Sequence, residues 1–351
     1  IIWVVIGYSL AFSEGNDWIG GIGNIFMNSI ELETASGSIP ESLFATFQMT
    51  FAIITPALMI GAFVERIKFS AMLIFLFFWV IIVYVPVTHW VWGGGILSSW
   101  GTMDFAGGIV VHATAGIGAL VTALTLGKRR GFPKSLTPPH SPILTMIGAS
   151  MLWIGWFGFN AGSALGANSG AGMAMLVTHI SAATASLVWM FIEWKRFGKP
   201  SLVGIVTGMV AGLATVTPAS GYIGVPGGLV LGLGGGVLCY IAVDFIRGKL
   251  QIDDSLDVFA VHGVGGILGT LLVAFLATST FSGLGLPEGQ SGISQFFVQF
   301  KAVILTILWT SVFTYLILKL TSLFVSLRVD EQEEIEGLDL RSHGEKGYHT
   351  D

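Results

Sequence analysis

Charge is what this chain has least of. Only 11% of its 351 residues are Asp, Glu, Lys or Arg, against 53% hydrophobic residues and a mean hydropathy of +0.79. A water-soluble domain carries about 25% charged residues, so most of this chain cannot present a surface to water, and lipid is the solvent that remains. Cysteine is nearly absent as well. Cys239 stands alone in an apolar stretch, which excludes an internal disulfide and reads as a small buried hydrophobe. No HExxH sequence and no cysteine cluster occur, whereas a zinc site needs three or four convergent ligands. An intramembrane metalloenzyme is therefore disfavoured, and neither enzymatic chemistry nor a cofactor is expected. No basic stripe points to nucleic acid, and the net charge of −5 comes largely from the end of the chain.

What is present is a succession of long apolar segments, at 1–12, 40–64, 69–91, 105–127, 142–160, 171–192, 201–218, 224–246, 257–278 and 298–325. Most are near the ~20 residues that cross a hydrocarbon core about 30 Å thick. The first opens on Ile1-Ile2-Trp3-Val4-Val5, which reads as the middle of a span, so the N-terminus is expected to be incomplete. The 48 glycines recur inside these segments, and small residues let membrane helices approach closely. The expected class is an all-α polytopic membrane protein, with a transmembrane domain over 1–325 and a charged tail over 326–351.

Basic residues orient the segments. Arg66 and Lys68, then Lys128, Arg129, Arg130 and Lys134, then Lys195, Arg196 and Lys199, then Arg247 and Lys249, and finally Arg328, Arg341 and Lys346 fall on alternate connections or in the tail. The intervening connections, 13–39, 92–104, 161–170, 219–223 and 279–297, contain no Lys or Arg. Under the positive-inside rule the basic set is cytoplasmic, the C-terminus lies inside and the first segment runs outward.

Ionisable groups inside apolar segments are costly and mark function. Asp104 precedes His112 by eight residues at the outer start of one segment, and Asp254 precedes His262 by eight at the inner start of another. Eight helical residues rise about 12 Å, so both histidines are expected near the midplane, entering from opposite faces. That pairing implies an inverted repeat about an axis in the membrane plane. It does not decide whether the rings touch or are buried separately. His179 also lies deep in a segment, without a matching aspartate, and reads as structural. His89, His140, His343 and His349 fall at edges, in loops or in the tail. Asp257 reads as a capping or loop residue.

At this point the residues match a known family. Val91-Trp92-Gly93-Gly94-Gly95, Asp104-Phe105-Ala106-Gly107-Gly108, Trp156-Phe157-Gly158-Phe159-Asn160-Ala161-Gly162-Ser163 and Phe259-Ala260-Val261-His262-Gly263 resemble the ammonium transporter (Amt) family. So do Glu65-Arg66, Gly198-Lys199-Pro200-Ser201, Gly337-Leu338-Asp339 and Ser342-His343-Gly344-Glu345. The likeness covers essentially the whole chain and is nearest to bacterial members. It implies a bundle of eleven transmembrane helices with an inverted five-helix repeat, of which the first helix is lacking here.

The resemblance further implies a substrate, ammonium or ammonia with methylammonium as analogue, and a pore through each subunit of a homotrimer in the cytoplasmic membrane. Trp92 and Ser163, with Phe51 and Phe47, look like the outer recruitment site, because a π-face attracts a cation and a hydroxyl accepts an N–H bond. Phe51 and Phe159 look like the stacked gate beneath it. His112 and His262 look like the twin histidines of the pore, where imidazole can both donate and accept a proton. Asp104 would act structurally and electrostatically, with Asp254 as its inverted counterpart. The tail would pack beneath the subunits and contribute to docking of a PII-type regulatory protein. Two alternatives stay open: a Rhesus-type channel for neutral gases, and an ammonium sensor with little transport.

Overall fold

Lipid offers no partner to a peptide N–H or C=O, so a chain this apolar must satisfy its backbone internally, and it does so in helices. The computed structural model describes residues 1–135 and 138–348; His349 lies outside them. Among the described residues eight helices are long and apolar enough to cross a membrane: α2 (Glu41–Ile60), α3 (Phe69–Ser99), α4 (Gly108–Leu126), α5 (Pro142–Gly162), α6 (Ser169–Phe197), α8 (Val225–Lys249), α9 (Phe259–Leu276) and α10 (Gly292–Phe324). The other two apolar segments form shorter helices, α1 (Trp3–Phe12) and α7 (Leu202–Val216). The helix α7 stops short of the 201–218 segment because Pro218 has no N–H to continue it. The charged tail adds a short helix, α11 (Glu331–Glu336). A two-stranded antiparallel ribbon, Ala35–Ser36 with Ile39–Pro40, lies in the long connection between α1 and α2.

Helix starts follow from local chemistry. Ser141, Asn168 and Ser201 each place a side-chain oxygen on the N–H three residues on, at the starts of α5, α6 and α7, satisfying a donor the helix leaves orphaned. Ser291 with Ser294, and Asp330 with Glu333, form reciprocal capping boxes for α10 and α11. Lys195 and Arg196 occupy the last turn of α6, where the helix dipole favours cations. Within the spans, buried threonines such as Thr55, Thr114, Thr122 and Thr306 donate to the carbonyl four residues back, so each hydroxyl is satisfied by its own helix.

Inside α3 the hydrogen-bond ladder loosens into a wider turn over Val80–Tyr84. Pro86 explains it: in a regular helix its N–H would bond Ile82, and proline has none. The freed Ile82 carbonyl instead accepts the indole N–H of Trp309 at 3.0 Å, and Trp79 donates to Thr314 Oγ1 at 3.0 Å. A sequence defect in α3 is thus repaired by α10.

The two histidine-bearing helices form the centre. Their best apolar windows are 78% (α4) and 61% (α9) buried, against 11% for α5. They cross where Gly116 meets Gly263, and a Cβ on Gly116 would lie 2.3 Å from the Gly263 Cα. Only two glycines permit that approach.

On the face carrying the basic connections, ion pairs tie the ends of these helices together. Arg129 pairs with Glu65, beyond α2, and with Asp253, before α9, at 2.8 Å. The buried Arg66 donates to the Asp253 carbonyl at 2.6 Å and to Ser255 Oγ at 3.1 Å. Burial alone would raise the Asp253 carboxyl, but the hydrogen bonds and charge of Arg129, with the charge of Arg66, hold it below the usual carboxylate range. The tail is fastened to the same face. Ile67 and Arg328 form an antiparallel bridge, and Arg328 donates to Leu126 O at 3.0 Å and to Glu334 at 2.7 Å. Glu334 also accepts from the Arg130 N–H at 2.8 Å. Desolvation opposes the charge of Glu334, yet these partners outweigh it and lower its pKa.

Candidate functional site

The eight-residue spacing that the sequence offers as helix is not helix throughout. Residues 104–107 form an irregular loop, and α4 begins at Gly108. The Asp104 carboxylate is the reason. Its Oδ1 accepts from Gly107 and Gly108 N–H at 2.9 and 2.6 Å, and its Oδ2 from Ile109 and Val110 N–H at 2.8 and 3.2 Å. One buried side chain therefore satisfies four donors at the start of a central helix. The chain can turn into this arrangement because Gly107 takes a left-handed conformation, φ +117°, which costs any residue with a Cβ.

The counterpart before α9 is similar but less complete. Asp254 Oδ2 accepts from Phe259 N–H at 2.7 Å, while Oδ1 has no partner among the described residues. Asp257 adopts a left-handed φ of +56° and pairs with Arg247 at 2.6 Å. Both histidines then sit in wide π-type turns, Gly108–Ala113 and Phe259–Gly263. Such turns insert an extra residue and re-aim side chains, which helix rise alone cannot anticipate.

The two rings meet. His112 Nδ1 and His262 Nδ1 are 3.2 Å apart, with ring planes 20° from parallel. Two nitrogens at that distance need one proton between them, so one ring donates and the other accepts, and the pair holds complementary tautomers. His112 is fully buried and His262 is 7% exposed. His112 Nε2 has no partner among the described residues, leaving a polar atom aimed at whatever occupies the space beside it.

Around the pair the aromatic residues form a connected series. Phe51 touches Trp92 edge-on (5.4 Å between centroids), Phe159 at 4.5 Å and Phe47 at 4.9 Å. Phe159 stacks over His112 at 5.9 Å. The Trp92 indole N–H is engaged by the Asp104 carbonyl at 2.9 Å, which leaves the ring face, not the donor, free to meet a cation. Ser163 donates to Phe159 O at 2.9 Å, so its oxygen lone pairs remain available as acceptors. Trp92, on α3, thus meets Phe51, and Ser163, at the end of α5, bonds the Phe159 backbone, while Phe51 and Phe159 touch each other. A cavity of about 600 Å³ runs between α2 and α5 and is lined by Phe47, Phe159, Trp156 and His112 with aliphatic side chains.

Two residues with a part here escaped the sequence reading. Trp156 stacks on His112 at 5.3 Å and lies parallel to His262 at 6.5 Å, with its N–H on Thr217 Oγ1 at 2.9 Å. The signal was available: 156, 159 and 163 share one helix face by their spacing. His89 is not an edge residue but is buried in α3, with both ring nitrogens against carbonyls, Ala11 O at 2.9 Å and Asn16 O at 2.8 Å. It fastens the connection that follows α1 to α3. His179 is exposed on α6 beside Trp153. Among the described residues no three His, Cys, Asp or Glu converge to hold a metal ion.

The Ammonium Transporter Family model matches residues 1–348. The chain belongs to the ammonium transporter family. It is 46% identical to an ammonium transporter of Aquifex aeolicus, over 99% of this chain and 82% of that one, and 42% identical to one of Bacillus subtilis, over 99% and 86%. Among solved structures it is similar to a protein described as a sensor Amt protein (31% identity, TM-score 0.89, covering 97% of this chain and 86% of that one) and to Candida albicans Mep2 (36%, 0.87, 95% and 76%). This family member is an integral membrane protein, and the family is one of transporters, not enzymes.

Proposed function

We propose that the chain carries ammonium across the cytoplasmic membrane by recruiting the cation at an outer aromatic site, stripping its proton, which either returns to the outer solution or is relayed by the histidine pair to the other side, and passing ammonia along an apolar path past His112 and His262. The observation that supports this most is the continuity of the aromatic series. Phe51 touches Trp92 on one side and Phe159 on the other, and Phe159 stacks on His112. Ammonium has four donors and no lone pair, so the Trp92 face and the Ser163 oxygen suit it, with Phe47 and Phe51 completing the site. Phe51, 1% exposed, and Phe159 would serve as the gate. A potassium ion cannot pass stacked phenyl rings with its water, and cannot become neutral, whereas ammonium can give up a proton.

In this reading Asp104 holds the start of α4 and adds negative potential at the entrance, and Asp254 is its inner counterpart. Residues 1–325 form the conducting domain, and 326–351 a cytoplasmic tail that packs beneath it and could be read by a PII-type protein. Self-association as a homotrimer is part of this reading, and α5, with few buried residues in a single chain, leaves apolar surface that lipid or a second copy would cover. One observation favours a second reading, an ammonium sensor: the likeness to a solved protein so described.

Trp92→Leu is the discriminating variant. A cation–π contact is worth about 0.5–2 kcal/mol, so half-saturation for labelled methylammonium uptake into liposomes is expected to rise about 2- to 30-fold at nearly unchanged maximal rate. Unchanged half-saturation would remove Trp92 from recruitment. Absence of uptake by the unmutated protein would favour the sensor, and carbon dioxide passage in place of methylammonium a neutral-gas channel.

A further inference from the structure

The loop that places Asp104 and Trp92 against each other is not held by secondary structure. Residues 101–105 run inward from an exposed Gly101 to a buried Met103 and Asp104, and both backbone groups of Met103 are answered by a single side chain on α10. Gln299 is fully buried. Its Oε1 accepts from the Met103 N–H at 2.8 Å, and its Nε2 donates to the Met103 carbonyl at 2.7 Å. This is the pairing a neighbouring β-strand would supply, provided here by an amide. The second Nε2 proton goes to Thr270 O on α9 at 2.9 Å, and Oε1 accepts a further bond from Gln295 at 3.1 Å. Gln295 also donates to Gly101 O at 2.9 Å. All the hydrogen-bonding capacity of the Gln299 amide is used.

The consequence falls on the next residue. With both polar groups of Met103 fixed, Asp104 follows in a single register: its carboxylate reaches four N–H groups of α4, and its carbonyl reaches the Trp92 indole at 2.9 Å. The carbonyl contact orients the Trp92 ring, and the carboxylate sets the start of the turn that bears His112.

We propose that Gln299 is a positioning residue for substrate recruitment: by pairing with Met103 it fixes Asp104, and through the Asp104 carbonyl it sets the angle at which Trp92 meets the cation. Gln299 touches neither the aromatic site nor the histidines; it acts through the loop. A glutamine was selected by geometry, since only a side-chain amide offers a donor and an acceptor at the spacing of a backbone N–H and C=O.

The inference rests on the assignment of Trp92 to recruitment, and the test separates the two. Methylammonium uptake would be measured against concentration in liposomes holding Gln299→Met, Gln299→Glu, Trp92→Leu and Thr310→Val, with rates normalised to folded protein. Met keeps the length but leaves two buried backbone groups unpaired. Glu keeps the shape and the acceptor but loses both donated bonds. Such losses shift binding geometry at a cost that corresponds to about a tenfold rise in half-saturation for Met, and to at least as large a rise for Glu, whose second oxygen faces the Met103 and Thr270 carbonyls, with maximal rate within about twofold. Thr310, buried on the same helix without a hydrogen-bond partner among the described residues, reports the cost of disturbing α10 and is expected to leave half-saturation unchanged. If Gln299→Met does not fold, the isosteric Gln299→Glu decides. A rise in Trp92→Leu with unchanged half-saturation in the foldable Gln299 variants would overturn the positioning role, as would a loss of folded protein alone. Unchanged half-saturation in Trp92→Leu would overturn the recruitment reading, and this inference with it.

Discussion

Replacing both histidines, His112→Leu with His262→Leu, is expected to reduce ammonium-evoked current in proteoliposomes by about 100-fold or more, the lower end of what a positioned proton donor and acceptor contributes. The expectation follows from the 3.2 Å contact between the two Nδ1 atoms. A pair sharing one proton can take another from one side and release one to the other, while two leucines can do neither. Their volumes are comparable to imidazole, so the path is not widened. Single substitutions test the same point more finely. His112→Asp retains a titratable group beside His262, and an unchanged ammonium-dependent current in that variant would count against a relay through this pair. Current that persists in the double leucine variant would show that the apolar path suffices without it.

Loss of the Asp104 carboxylate is expected to have an effect of similar size, but through structure. Asp104→Asn is isosteric, yet an amide presents one oxygen where the carboxylate presents two. The Oδ1 pair of bonds to Gly107 and Gly108 can survive; the pair to Ile109 and Val110 would face an NH2 group. Two buried helix donors lose their partner and meet a donor instead, which costs on the order of 3–5 kcal/mol. Thermal unfolding in detergent is expected at a clearly lower temperature. Where the cost falls on the conducting geometry, about 3 kcal/mol corresponds to about 100-fold in flux. A folded Asp104→Asn protein with unreduced flux would show that the four-bond fork is dispensable.

Much of the architecture was written in the sequence in a form that elementary rules can read. Apolar runs near membrane thickness gave the spans. The limits were equally physical. Helix α7 is short because Pro218 ends it, a local fact that a hydropathy window averages away. The depth argument for the histidines treated 104–112 and 254–262 as regular helix, whereas each begins with a loop and continues as a π-type turn. The contact between the rings depends on the Gly116–Gly263 crossing, a long-range event that spacing within one segment does not encode. Trp156 was visible as the third member of a helical face with Phe159 and Ser163. Gln299 was not: it lies about 195 residues from the loop it holds, a separation plain in its bond to Met103, and a glutamine in an apolar helix gives no hint of its partner.

The account stands on selection by loss of charge, and the measurement that tests it most directly compares two labelled cations in the same vesicles. Proteoliposomes holding the protein are given labelled methylammonium or labelled rubidium, as substitutes for ammonium and potassium, and initial uptake is followed for each. The account predicts rapid methylammonium uptake that ammonium competes away, and rubidium entry no faster than in vesicles without protein. Rubidium entry at a comparable rate would contradict it, because a cation that cannot give up a proton would then have crossed the phenylalanines and the histidine pair.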